Sequence, residues 1–258
     1  MAAGTAYKAL FRFYEELNDF LPAGHRKKDK TYTFKGNPAV KDSIEAQNVP
    51  HTEVDLIVVN GNPVDFNYKL RDGDRVSVYP VFETLDIRPA IKTGRKPLRV
   101  TKFILDVHLG KLARLLRMTG FDTMYRNDYE DAEIIRIGEE ETRIILTRDR
   151  GILKNSRVTR GYFIRSQKPW EQIKEVINRF QLQDDIKFLC RCIKCNSPIE
   201  SVEKKEVAHM LKAGTANIYS RFFKCRGCGN IYWQGSHFNR MAGYMKRLQT
   251  ELRSKQSG

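Results

Sequence analysis

Apolar and polar positions alternate over Ala6–Tyr14, with Tyr7, Ala9, Phe11 and Phe13 on one side and Ala6, Lys8, Leu10 and Arg12 on the other. A period of two predicts a half-buried strand. Thr31–Phe34 is a second strand candidate, Ala39–Gln47 a helix and Val54–Val59 a strong strand. Asn60-Gly61 then signals a hairpin, followed by Val64-Asp65-Phe66, a turn at Leu70-Arg71-Asp72-Gly73-Asp74 and a last strand at Arg75–Val81. Residues 86–99 hold two prolines, a glycine and the basic string from Lys92 to Arg99, and read as a linker. Beyond them the pattern changes. Phe103-Ile104-Leu105 and Ile144-Ile145-Leu146 are continuous apolar runs, too short for helices, and read as buried parallel strands. Between them Leu109, Leu112, Ala113 and Leu116 mark the buried side of a helix over Val107–Thr119, which closes at Gly120. Lys111, Arg114 and Arg117 share its other side, ordinarily a solvated face. A short strand at Phe121–Tyr125, a helix at Asp131–Glu141 with Asp131 as N-cap, a strand at Gly161–Ile164 and a helix at Trp170–Phe180 complete an α/β pattern over 100–185.

The order β-β-α-β-β over residues 1–85 is a β-grasp (α+β) pattern. Leu56-Ile57-Val58-Val59-Asn60-Gly61 and Leu70-Arg71-Asp72-Gly73-Asp74-Arg75-Val76 resemble the ubiquitin-like sulfur carriers. Those carriers act through a free C-terminal Gly-Gly, whereas here the strand runs on through Val78–Glu83 into more chain. Sulfur transfer is therefore not expected. The domain is expected to dock a protein partner or to brace the α/β region after it.

Charge changes the picture. The net charge of the 258 residues is +15. Residues 1–90 carry 12 Lys/Arg against 13 Asp/Glu, residues 91–184 carry 20 against 13, and residues 185–258 carry 14 against 5. The positive field belongs to the last two thirds, the footprint of a polyanion binder. Nucleic acid fits it better than membrane phosphate. No run approaches the roughly 20 apolar residues of a membrane span. Acids and aromatics interrupt residues 1–20 where a signal peptide needs a smooth apolar core, so a cytoplasmic location is expected.

Both apolar strands of the second region stop at an aspartate, one at Asp106 and one, through Thr147-Arg148, at Asp149. In open α/β sheets ligands collect beyond the carboxyl ends of the strands. Neighbouring carboxylates resist joint ionisation unless a cation compensates them, and a hard divalent ion such as Mg²⁺ or Mn²⁺ does so through oxygen ligands. An aspartate after a strand is also an ordinary turn or N-cap residue. The blocks FILDVHLGKLARLLRMTGFDT, DAEII, RIILTRDRGIL and QIKEVINRFQL, in that order, resemble the Mut-seven C-terminal RNase domain, a branch of the PIN-like nucleases, over about residues 98–235. The resemblance implies a Mg/Mn-dependent ribonuclease with a PIN-like α/β domain. It implies catalytic, metal-binding roles for Asp106, Asp131 and Asp149, with Glu133 as a neighbouring candidate and Asp128 behind it. Other PIN nucleases often carry a further acid two residues after the third, where this chain has Gly151. A four-acid, two-metal site and a three-carboxylate, one-metal site both stay open. Lys111, Arg114, Arg148 and Arg150 are candidates to hold phosphate.

Cys192-x2-Cys195 and Cys225-x2-Cys228, 29 residues apart, form two knuckles that together can present four thiolates to one tetrahedral Zn²⁺. All five cysteines lie between 190 and 228, which points to a local metal site rather than a disulfide framework. Cys190 is left as a free thiol or a competitor of Cys192. Arg191, Lys194, Lys224 and Arg226 lie among the ligands, interleaved with Phe222, Phe223, Tyr232 and Trp233, a composition that grips a backbone and stacks unpaired bases or, for the aromatics, fills a small core. His237 is a further candidate for phosphate. Residues 186–258 are thus expected to be a zinc ribbon with a basic terminal helix over 238–253. The expected function is metal-dependent hydrolysis of RNA, with the ribbon aiding RNA binding. The alternatives are a non-catalytic RNA- or ribosome-binding protein that retains the fold, and a zinc-ribbon DNA-binding regulator.

Overall fold

The computed structural model describes residues 5–80, 100–211 and 213–254. The expected linker 86–99 and Val81, at the end of the fifth strand candidate, lie outside the described residues. In chain order the elements begin with β1 (Ala6–Phe13), β2 (Lys30–Lys35), α1 (Val40–Glu45), β3 (Val54–Val59), β4 (Asn62–Val64) and β5 (Arg75–Pro80). They continue with β6 (Lys102–Leu105), α2 (Gly110–Met118), β7 (Asp122–Met124), α3 (Asp131–Glu140), β8 (Ile144–Thr147), α4 (Arg150–Lys154), β9 (Gly161–Phe163) and α5 (Pro169–Arg179). The C-terminal part holds β10 (Ile199–Val202), α6 (Lys204–Val207), α7 (Ala213–Ile218), β11 (Phe222–Cys225), β12 (Ile231–Trp233) and α8 (Ser236–Ser254).

The chain divides into two compact units. The first contains the β-grasp sheet, in the order β2-β1-β5-β3-β4, with β1 and β5 parallel at its centre and the remaining pairs antiparallel. The period-two pattern sends Phe11 and Phe13 inward, where Leu17, Ile44, Ile57, Leu70 and Val78 complete the core. The Leu70–Arg75 motif is held by Asp74. Its buried carboxylate accepts from the Arg71 backbone N–H (2.8 Å), Asn60 Nδ2 (2.8 Å) and the Tyr68 hydroxyl (3.1 Å), tying the β3–β4 turn and the β4–β5 loop to one acceptor.

Asp149–Phe163, far downstream in sequence, belongs to this first unit. The Phe163 backbone N–H donates to Glu53 Oε1 at 2.7 Å, and His51 Nε2 lies 2.8 Å from the Val158 carbonyl. Lys154 Nζ donates to Asn48 Oδ1 at 3.0 Å. The Arg150 guanidinium lies over the rings of Phe20 and Phe163, which themselves meet edge to face at 5.4 Å.

In the second unit β7, β6 and β8 pair in parallel in that order, with Phe103 opposite Thr123 on one side and Ile144 on the other. All four residues of β8 and three of the four of β6 are buried, as a strand covered on both faces requires. Helix α2 packs against α5 and β7, and α3 against β6 and β8. Strands β10, β11 and β12 form a separate antiparallel sheet in that order. Met241 and Met245 of α8 join Met118 and Leu189 in a shared apolar cluster. Gly120, at φ +96°, turns the chain out of α2. A Cβ there would collide with the Lys187 carbonyl and the Cys190 sulfur, so only glycine lets the later segment cross the helix end.

Candidate active site and metal centre

The β6–β8 register brings Leu105 opposite Leu146, and one residue further on Asp106 comes abreast of Thr147. The Asp106 backbone N–H donates to the Leu146 carbonyl at 3.2 Å. The Asp106 side chain is buried, at 4% exposure. Its Oδ2 accepts from the Thr147 hydroxyl at 2.6 Å and the Arg148 N–H at 3.2 Å, while Oδ1 accepts from the His108 N–H at 2.7 Å and caps the 3-10 turn Val107–Leu109. Three donors therefore fix one carboxylate at a strand end. A carboxylate offers about four lone-pair positions, so roughly one stays open to a cation.

Asp131 and Glu133 lie in the first turn of α3, Asp131 exposed and Glu133 half-buried. The N-cap is Glu130 and not Asp131, because Glu130 keeps the extended backbone (φ −82°, ψ 151°) and Asp131 is already helical. Asp128 is exposed and bound by Arg126 through two hydrogen bonds of 2.9 and 2.7 Å, which hold it below the ordinary carboxylate range. Asp149 is exposed at the head of α4, where its Oδ1 accepts from the Gly151 N–H at 2.6 Å.

Among the basic candidates Lys111 and Arg114 are exposed on α2. Arg148 spends donors on the Ser166 and Arg165 carbonyls at 2.7 and 3.4 Å, and Arg150 NH1 donates to the Phe20 carbonyl at 3.4 Å. Arg191 is held by the Asn196 carbonyl (2.9 Å) and Asp122 (3.3 Å), and Arg226 by Glu200 (2.6 Å). Lys224 and Trp233 are half-buried, and His237 is exposed at the second residue of α8.

Arg117 departs from the solvated face on which its helical position puts it: the side chain is buried. The guanidinium donates to the carbonyls of Thr123 (2.9 Å), Tyr125 (3.3 Å), Ile193 (3.2 Å) and Lys194 (2.8 Å), so it joins α2 to the β7 segment and the first knuckle. Burial holds it below the usual arginine value, offset in part by the neighbouring thiols. Beside it Asp122 accepts from Arg143 at 2.7 Å and Asn196 at 2.8 Å. Burial pushes the Asp122 carboxyl up, but Arg143, Asn196 and Arg191 outweigh it and bring the group below its ordinary value. Sequence reading had no signal for this junction beyond the adjacency of Asp122 to the turn at Gly120.

The sulfurs of Cys192, Cys195, Cys225 and Cys228 all lie within 4.8 Å of one another, two pairs at 3.6 and 3.3 Å. A tetrahedron with Zn–S bonds of about 2.3 Å has edges of roughly 3.8 Å, so the set fits one such ion. The thiols cannot all ionise unaided. Against burial, hydrogen bonds with Ser197 bring Cys195 down to about 6, while burial and the neighbouring sulfurs push Cys228 up to about 12. A divalent cation resolves that conflict. The Tyr232 hydroxyl accepts from the Ile193 N–H at 3.2 Å and lies 3.1 Å from Cys192 Sγ. Burial and that sulfur raise its pKa. Cys190 stands outside the four and donates to the Gly120 carbonyl at 3.7 Å. Among the described residues these cysteines are the one group of three or more metal-ligand side chains so gathered, and no three carboxylates meet that condition.

A ubiquitin-like domain thus precedes an α/β domain that carries a buried strand-end carboxylate and a four-cysteine site compatible with a zinc ribbon. The Mut7-C RNAse domain model matches residues 101–245 and the Mut7-C ubiquitin model matches residues 6–86, in the order the sequence resemblance implied. The first covers more than half of the chain, and the chain belongs to the Mut7-C RNAse domain family. Comparison with curated proteins and with solved structures gave no match.

Proposed function

We propose that the chain is a Mg²⁺- or Mn²⁺-dependent ribonuclease with a PIN-like catalytic domain. The observation that carries this reading is Asp106, a carboxylate buried at the end of the central parallel strand and oriented by three donors in a domain of an RNase family. A buried acid held in one direction is preorganised to bind a cation without further ordering. Asp106, Asp131 and Asp149 would hold the ion, with Glu133 in reserve. Hard oxygen donors suit these metals, and the single open position on Asp106 favours one firmly held ion over a bridged pair. The ion, when bound, would polarise the scissile phosphate and lower the pKa of a water. Lys111, exposed at the start of α2, would steady the phosphate charge. Arg148 and Arg150, with donors already committed to carbonyls, would shape the site more than grip substrate. The four cysteines would hold a structural zinc. The N-terminal domain would brace Asp149–Phe163, the segment that opens with the third acid.

Attack by an activated water leaves the ribose 2′-hydroxyl without a chemical role. RNA products are therefore expected to carry no 2′,3′-cyclic phosphate, and a strand with a single 2′-deoxy substitution at the cleaved position should be cut at a similar rate. Cyclic-phosphate ends would rule out this mechanism. A non-catalytic RNA binder is the second reading. It is favoured by the absence, among the described residues, of a group of three close carboxylates.

A further inference from the structure

A cavity of about 690 Å³ opens in the second unit beside the four-cysteine site. Tyr219, Trp233 and Phe238 give it aromatic walls, and Arg114, Lys194 and His237 supply cationic or titratable nitrogen, with no carboxylate among the described residues that line it. Gly235 makes the wall possible, since a Cβ there would meet Trp233 Nε1 at 2.8 Å and the Tyr219 hydroxyl at 3.3 Å. The ligand that matches both halves is flat and apolar at one end and anionic at the other. Arg114 also lines a second cavity of about 580 Å³ with His108, Lys111, Tyr125 and Gln172. Val107, the residue after Asp106, also lines it.

We infer that the first cavity receives one unpaired nucleotide of an RNA strand, its base among Tyr219, Trp233 and Phe238 and its phosphate at Arg114, from which the strand continues through the second cavity toward Asp106. This rests on the ribonuclease reading and adds to it a preference for unpaired RNA, because a base stacked within a helix cannot lay its face on aromatic side chains.

The chain has two tryptophans, Trp170 and Trp233. A full-length Trp170→Phe, Asp149→Asn protein, without added Mg²⁺ or Mn²⁺, makes Trp233 the sole indole reporter and suppresses cleavage. Titration with an eight-residue single-stranded oligouridylate is expected to quench Trp233 fluorescence, and the same strand in a duplex should not. By fluorescence anisotropy of labelled RNA, Trp233→Leu and Arg114→Gln should each bind the single strand roughly 5- to 150-fold more weakly, the range set by one stacked base or one charged contact. Trp233→Phe should retain most of the affinity. Unchanged zinc content and circular dichroism would show that the Leu variant is folded, and if it is not, the Arg114→Gln result decides. Tight RNA binding with silent Trp233 fluorescence and normal affinity in both variants would overturn the pocket while leaving the ribonuclease reading in place. Equal quenching by polyglutamate would overturn it in favour of an acidic protein ligand. No RNA binding at all would remove both readings.

Discussion

Truncating Asp106 would remove one acceptor from three donors at once, the Thr147 hydroxyl and the N–H groups of His108 and Arg148. Each buried group left unpaired costs roughly 1–3 kcal/mol, so Asp106→Ala should lower stability measurably, by about 2 kcal/mol or more, in a denaturant titration. Asp106→Asn is not neutral either, because its amide sets a donor against one of those donors. Activity lost on changing Asp106 is interpretable only beside its unfolding curve. Arg117 makes the complementary case. Arg117→Leu keeps the buried stem but frees four carbonyls, and a loss of roughly 3 kcal/mol or more is expected. A surface-like change, within about 0.5 kcal/mol, would show that the guanidinium is not the fastening between α2 and the first knuckle. Amphipathic spacing put Arg117 with Lys111 and Arg114 because it assigns every charge to solvent. A long side chain that reaches backbone acceptors leaves no mark on that pattern.

Helices α5 and α8 meet at Glu251. Its carboxylate accepts from Lys174 (2.9 Å), Arg247 (2.7 Å) and the Trp170 indole (3.1 Å), and these bonds hold it at about 2. An unfolded glutamate titrates near 4.3. The folded value is the lower one, so this contribution is complete above about pH 4.3 and is lost as the pH falls through about 2. Melting temperatures of wild type and Glu251→Gln should differ most above pH 5 and converge toward pH 2. Parallel curves over that range would contradict the assignment. The four-cysteine element should contain about one zinc per chain, and Cys225→Ser should release it and unfold β10–β12, since site formation supplies much of the folding energy of so small a sheet. An intact segment in metal-free protein would contradict this. The cysteine pairs were legible because a ligand set repeats at fixed spacing. The aromatic cavity was only half legible: Trp233 and His237 stood out, whereas Tyr219 and Phe238 reach the same space from positions with no shared period.

At the scale of the whole molecule, the striped and continuous apolar patterns announced the strands of the β-grasp sheet and of the parallel sheet, since period two and unbroken burial each write themselves into sequence. What they could not announce was the allegiance of Asp149–Phe163. Its partners Phe20, Asn48, His51 and Glu53 are about 100 residues or more distant, and pairing at that range leaves no periodicity to read. The consequence is testable. A chain starting at Val100 deprives α4 and β9 of those partners, so amide exchange over 149–163 should accelerate relative to the full chain. Equal protection in both would show that the N-terminal domain is not a brace.

The ribonuclease reading stands on a metal-loaded acid site that cuts RNA. The most direct measurement is cleavage of a labelled single strand by the purified full-length protein, zinc retained, with Mg²⁺ or Mn²⁺ added or withheld, beside folded Asp149→Asn. Cleavage should require the added ion and should fall on the order of 100-fold in the variant, the scale of losing one charge-stabilising group. Undiminished cleavage without added metal, or by folded Asp149→Asn protein, would contradict the central claim.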